Sequence, residues 1–117
     1  MTVQECYEAI GGDYNDIMSR LKTEERVKKF AGMFLKEKCY QTLVQTIEEG
    51  NQEEAFRAAH TLKGVCQNMS FTTLFHSSFA ITESLRGSNM DEAKTLLEQV
   101  TKDYERTIDG VTKLLEQ

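Results

Sequence analysis

Apolar residues recur at helical spacing along most of this chain, and short polar or glycine-bearing breaks divide the pattern into segments. Thr2 caps a short helix over Val3 to Ile10, which Gly11-Gly12 ends by supplying backbone freedom. Asp13 opens a second short turn through Ile17, Met18 and Leu21. Thr23 is the next cap, with Glu24 and Glu25 in the first turn where negative charge complements the helix dipole. Val27, Phe30, and Met33 or Phe34 give that helix its stripe. Tyr40, Leu43, Val44 and Ile47 carry helical spacing to Gly50, either as a continuation or after a break near Lys36 to Cys39.

Asn51 and Glu54 have capping-box spacing and open a helix that runs to about Met69. Ser70-Phe71-Thr72 forms a corner. Leu74, Phe75, Ser78, Ile81 and Leu85 define the next stripe, stopped by Arg86-Gly87-Ser88. Asn89 with Glu92 repeats the cap, and Ala93, Leu96 or Leu97, Val100, Tyr104, Ile108, Val111 and Leu115 run nearly to the C-terminus. Connections this short force consecutive helices to pack antiparallel. The economical way to bury these stripes is an all-α, up-and-down antiparallel four-helix bundle with a short N-terminal helical cover, a single domain over residues 1–117.

The Asn51 helix carries the chemistry. At about 100° per residue, Ala55, Ala58, Leu62, Cys66 and Met69 fall within a sector of roughly 80°, the core face. His60 points almost directly away from it. Phe56, Arg57, Lys63, Gly64 and Gln67 lie within roughly 60° of His60. This polar face therefore offers a nucleophile, two cations, an amide, an aromatic ring and a glycine. Gly64 costs roughly 1 kcal/mol against alanine in a helix interior, so it needs a reason such as close approach by another surface. Lys63, one turn beyond His60, can neutralise part of a phosphoryl group's charge of about −2.

Composition narrows the function further. The chain has 117 residues, no proline and seven glycines, which suits one helical domain. A formal charge of −5 argues against general nucleic-acid or anionic-membrane binding. Together with the lack of a spare apolar stripe, it predicts a monomer. Cys6, Cys39 and Cys66 are odd in number, widely spaced and without a Cys-x-x-Cys pair, so they read as reduced thiols of a cytoplasmic protein. No basic and apolar leader and no long apolar run appears, so neither secretion nor membrane insertion is expected.

Ala59-His60-Thr61-Leu62-Lys63-Gly64, followed by Asn68-Met69, resembles the signature of histidine-containing phosphotransfer domains, the HPt modules of two-component phosphorelays. Gly11-Gly12-Asp13, the Phe30 to Leu35 helix, and Glu48-Glu49-Gly50-Asn51 leading into Glu54 to Ala59 are similar to the order in small bacterial members. The resemblance implies that His60 is the phosphoacceptor, Lys63 the cation near the phosphoryl oxygens, and Gly64 the gap admitting a receiver domain, with Gln67 at the edge. Phe56 and Arg57 are candidates for docking, although Phe56 is equally well a partly covered flank of the core. Where the family has a glycine closing the motif this chain has Ser70, which affects the helix exit. Where many members hold the imidazole's second nitrogen with a polar residue on the following helix, this chain offers Thr82 and Glu83.

The implied partners are response-regulator receiver domains and a sensor or hybrid histidine kinase. No cofactor of the chain's own is implied; Mg²⁺ comes with the receiver, and the chain is a phosphocarrier without turnover of its own. His76 reads as a surface residue and no metal site is expected, because no Glu-x-x-His motif accompanies either histidine. Lys28-Lys29 and Lys36 to Lys38 read as a solvated face. Phe30, Met33, Phe34, Phe71, Phe75 and Phe79 read as core and helix-packing residues. The competing function is a helical interaction module that binds a receiver or another signalling protein without carrying phosphate.

Overall fold

A computed structural model describes residues 1–116. Its helices are α1 (Val3–Ile10), α2 (Tyr14–Leu21), α3 (Glu24–Leu35), α4 (Cys39–Glu48), α5 (Gln52–Met69), α6 (Thr72–Arg86) and α7 (Met90–Leu115), with no strand among the described residues. The expected caps form. The side chains of Thr2, Asp13, Thr23, Asn51 and Asn89 each accept a hydrogen bond from the backbone N–H three residues on. At α1 the box is reciprocal, since Glu5 accepts from the Thr2 amide at 2.8 Å. Gly11 ends α1 in the left-handed region, at φ 70°.

The open question between Lys36 and Cys39 resolves as a break. Lys36 and Glu37 donate to Met33 and Phe34 carbonyls in tight final turns, and α4 starts afresh at Cys39 without a side-chain cap. α4 packs on α5, α5 on α6, α6 on α7, and α4 also touches α7, so the helices close into a bundle. The 26-residue α7 spans about 39 Å at 1.5 Å per residue and sets the 40 Å long axis.

The N-terminal segment is more than a cover. Val3, Cys6, Tyr7 and Ile10 are all buried in the main core. α1 lies so close to α7 that a Cβ on Gly110 would sit 2.4 Å from Ile10 Cγ2. The Tyr7 hydroxyl donates to the Met69 carbonyl at 2.7 Å, and the Asp13 amide donates to the Ser70 carbonyl at 2.9 Å. A Cβ on Gly12 would meet the Tyr7 ring at 2.6 Å and Ser70 O at 2.9 Å, so this corner requires glycine. The α1–α2 corner thereby clamps the end of α5.

Ser70 does govern the exit from α5, as expected. Its φ of 56° is left-handed, a conformation that favours glycine. Its hydroxyl offsets the strain by donating to Asp16 Oδ2 at 2.6 Å while accepting from Arg20. The bond from Ser70 holds the Asp16 carboxyl below the usual carboxylate range.

Tyr7, Phe34, Phe71 and Tyr104 form an aromatic centre with ring centroids 5.0 to 6.1 Å apart. Three residues expected in the core do not join it. Phe30, Met33 and Phe79 are 39 %, 56 % and 47 % exposed. On α3 the buried face is Val27, Ala31 and Phe34, which turns Phe30 and Met33 outward. On α6 Leu74, Ser77, Ser78, Ile81 and Leu85 face inward, leaving Phe79 outside. The chain therefore does carry spare apolar surface, and one premise of the monomer expectation falls. Cys6, Cys39 and Cys66 are free and buried. Among the described residues no helix is long and apolar enough to cross a membrane.

Candidate functional site

α5 divides as its sequence phase predicts. Ala55, Ala58, Leu62, Cys66 and Met69 are buried, joined by Ala59, while His60, Arg57 and Gln67 are exposed and Phe56, Lys63 and Gly64 are half-buried. The seam is inaccessible to water at Leu62 and Cys66. Burial pushes the Cys66 thiol up strongly, so it serves as an apolar filler and not as a nucleophile.

His60 has neither ring nitrogen in a hydrogen bond among the described residues; its contact is with the Phe56 ring, 6.0 Å between centroids. Lys63 lies with its Nζ 5.7 Å from the centre of the Phe79 ring and forms no ion pair among the described residues. Gly64 faces open space, since a Cβ there would find nothing within 4 Å. Gln67 is exposed, and its carbonyl accepts from Arg20 at 3.0 Å, which anchors that end of α5 to α2. Arg57 is engaged at both terminal nitrogens, with Glu54 at 3.2 Å and Glu53 at 3.0 Å.

Thr82 and Glu83 do not hydrogen-bond the imidazole. Thr82 is wholly buried and its hydroxyl donates to the Ser78 carbonyl at 2.6 Å. Glu83 is exposed and pairs with Arg86 Nε at 3.1 Å. Arg86 in turn stacks on Phe56, its guanidinium carbon 5.0 Å from the ring centre. Phe56 is thus both a flank of the core and a wall of the recess containing His60, Arg57, Thr61 and Arg86.

Two features were absent from the sequence reading. Arg86 comes from the last turn of α6, where it registered only as part of a helix stop. Along the opposite side of α5, Phe30, Met33 and Glu37 face Val65, Asn68 and Met69 across a shallow groove. The available signal was the phase of α3, in which Val27, Ala31 and Phe34 complete a stripe without Phe30 or Met33. His76 is exposed beside Phe75. Among the described residues no three His, Cys, Asp or Glu side chains cluster as a metal site would require.

The outer face of α5 thus carries an exposed imidazole, with Arg57 and Arg86 in the same recess and Lys63 one turn on. The sequence model of the Hpt domain family matches residues 32–110, from the last turn of α3 into α7, and the chain belongs to that family. Hpt domains are phosphocarrier modules of two-component signalling, and they work with receiver domains and histidine kinases. No curated protein and no solved structure matches the chain.

Proposed function

We propose that this chain carries a phosphoryl group on His60, accepting it from the aspartyl phosphate of one receiver domain and delivering it to the aspartate of another. The observation that carries the reading is the pairing of an exposed, unbonded imidazole with Gly64, which faces open space one turn on. A helical glycine costs about 1 kcal/mol against alanine. Among the described residues no contact calls for it, which leaves approach by another surface.

In uptake, an imidazole nitrogen's lone pair forms the P–N bond while the P–O bond to the receiver's aspartate breaks and that residue leaves as a carboxylate. Onward transfer reverses the exchange. The transition state is loose, so positioning and charge stabilisation dominate. Lys63 supplies charge on this side. Its hold on Phe79 is worth roughly 0.5–1 kcal/mol at an exposed site, weak enough to yield to a phosphoryl oxygen.

The acids beside His60 pair with arginines, Glu53 and Glu54 with Arg57 and Glu83 with Arg86. Mg²⁺ therefore belongs to the receiver in this reading. Receiver docking uses Phe56, Arg57, Gly64 and Gln67, extended by the exposed Phe79 beneath Lys63. Helices α4 to α7 serve as an up-and-down antiparallel four-helix bundle within one domain of residues 1–117, and the buried free thiols fit a reducing cytoplasm.

The test is transfer of ³²P from a phosphorylated receiver to the purified protein, with His60→Gln alongside. The expected result is acid-labile, alkali-stable label that the variant lacks. Label retained by His60→Gln would overturn the assignment. The exposed Phe30, Met33 and Phe79 also favour a second reading, an interaction module without phosphate; binding of receivers with no label from any of a broad panel would select it.

A further inference from the structure

Two arginines line the recess beside His60, and they are held differently. Arg57 spends both terminal nitrogens on Glu53 and Glu54, so two carboxylates surround one guanidinium. Arg86 gives Glu83 only its Nε, at 3.1 Å, and its two terminal amino groups have no hydrogen-bond partner among the described residues. Its guanidinium lies on the Phe56 ring, and the same ring contacts the imidazole. The free donors are therefore presented beside the phosphoacceptor, on a side chain more than half exposed.

We propose that Arg86 binds the phosphoryl group of phosphorylated His60 through its two free terminal amino groups, so that the group is held by cations on two sides, Arg86 and Lys63. This rests on the reading that His60 is phosphorylated. Phosphorylation adds two negative charges or nearly so, and a planar guanidinium presents parallel N–H donors that match two phosphoryl oxygens. Lys63 supplies a point charge without such a fork. Both cations rest on aromatic rings, Lys63 on Phe79 and Arg86 on Phe56, contacts that fix their position and are readily exchanged for an anion. Glu83 acts as a positioning residue, because its bond to Nε leaves the opposite edge of the guanidinium for the phosphoryl group. Arg57, already matched by two acids, is the poorer site for a dianion.

Phosphoramidate separates this role from receiver docking. It labels imidazole directly: the ring nitrogen's lone pair forms the new P–N bond, the bond to the donor's nitrogen breaks, and ammonia leaves. Arg86→Gln should slow uptake at His60 by roughly tenfold to a hundredfold, the effect of losing a charge-assisted hydrogen bond. Arg86→Lys should restore part of the rate. Lys102→Gln, which removes a unit charge from α7 outside the recess, should leave the rate unchanged. The Arg86 side-chain NH resonances should shift on phosphorylation in wild type and remain in place in His60→Gln.

Uptake by Arg86→Gln within twofold of wild type, or a larger loss in Arg57→Gln, would overturn the assignment while the phosphocarrier reading stands. No label on wild-type His60 from phosphoramidate or from any receiver would instead overturn the phosphocarrier reading, and this proposal with it.

Discussion

Leu62 and Lys63 are consecutive residues with opposite surroundings: Leu62 is fully buried in the seam of α5, while Lys63 stands over the Phe79 ring at the surface. The same division runs along the helix, with Ala55, Ala58, Ala59, Cys66 and Met69 against the core and Phe56, Arg57, His60, Gly64 and Gln67 on the outer face. One helix thus does two separable things. Its inner face holds the bundle together, and its outer face presents chemistry that the bundle does not need for stability. Substitutions on the two faces should therefore report on different observables.

The largest contrast lies between the two neighbours. Leu62→Ala leaves a cavity in a close-packed seam and should lower unfolding free energy by about 2–5 kcal/mol. Lys63→Ala, which gives up only the contact with Phe79, should stay within about 1 kcal/mol of wild type, while slowing phosphoryl transfer. Urea unfolding of both variants checks this, and similar losses at the two positions would break the division.

A second probe reads the core that this inner face joins, through thiols on α1, α4 and α5. Burial pushes the Cys6 and Cys39 thiols up to about 11, and Cys66 upward more strongly. Unfolded thiols ionise near pH 8.5, so the unfolded state gains stability first as pH rises. The contribution of these thiols is complete below about pH 8.5 and is lost as pH climbs through about 11. Melting temperatures should fall over that window, and Cys39→Ala should make the fall shallower. A flat wild-type profile would show that the thiols are not sheltered.

The smallest effect sharpens the comparison most. Gly64→Ala meets no atom within 4 Å and should stabilise the helix by up to about 1 kcal/mol. The added methyl group should nonetheless slow transfer from a receiver while leaving labelling by phosphoramidate close to wild type. Equal rates from the receiver would mean that no surface comes close at that point.

Much of the helical layout was legible because its determinants are local. Thr2, Asp13, Thr23, Asn51 and Asn89 each bond an amide three residues away, so the cap and its partner lie in one short window of sequence. The inner face of α5 was legible for the same reason, since five apolar positions in register leave little freedom of phase. That register also placed His60 outside. Phe30, Met33 and Phe79 were misread because an aromatic or methionine in a helical stripe is buried only if a neighbouring helix covers it.

What the sequence determined by itself was therefore most of the helices and their caps, and the inner and outer faces of α5 with His60 and Gly64 on the latter. The tertiary structure decided which apolar residues stayed uncovered, that α1 lies within the core, and that the chain breaks between α3 and α4. It also decided that Arg86, at the far end of the next helix, stands on Phe56 beside His60. Caps and helix phase are contacts within a turn or two of chain, whereas burial and the meeting of distant side chains depend on which surfaces pack together.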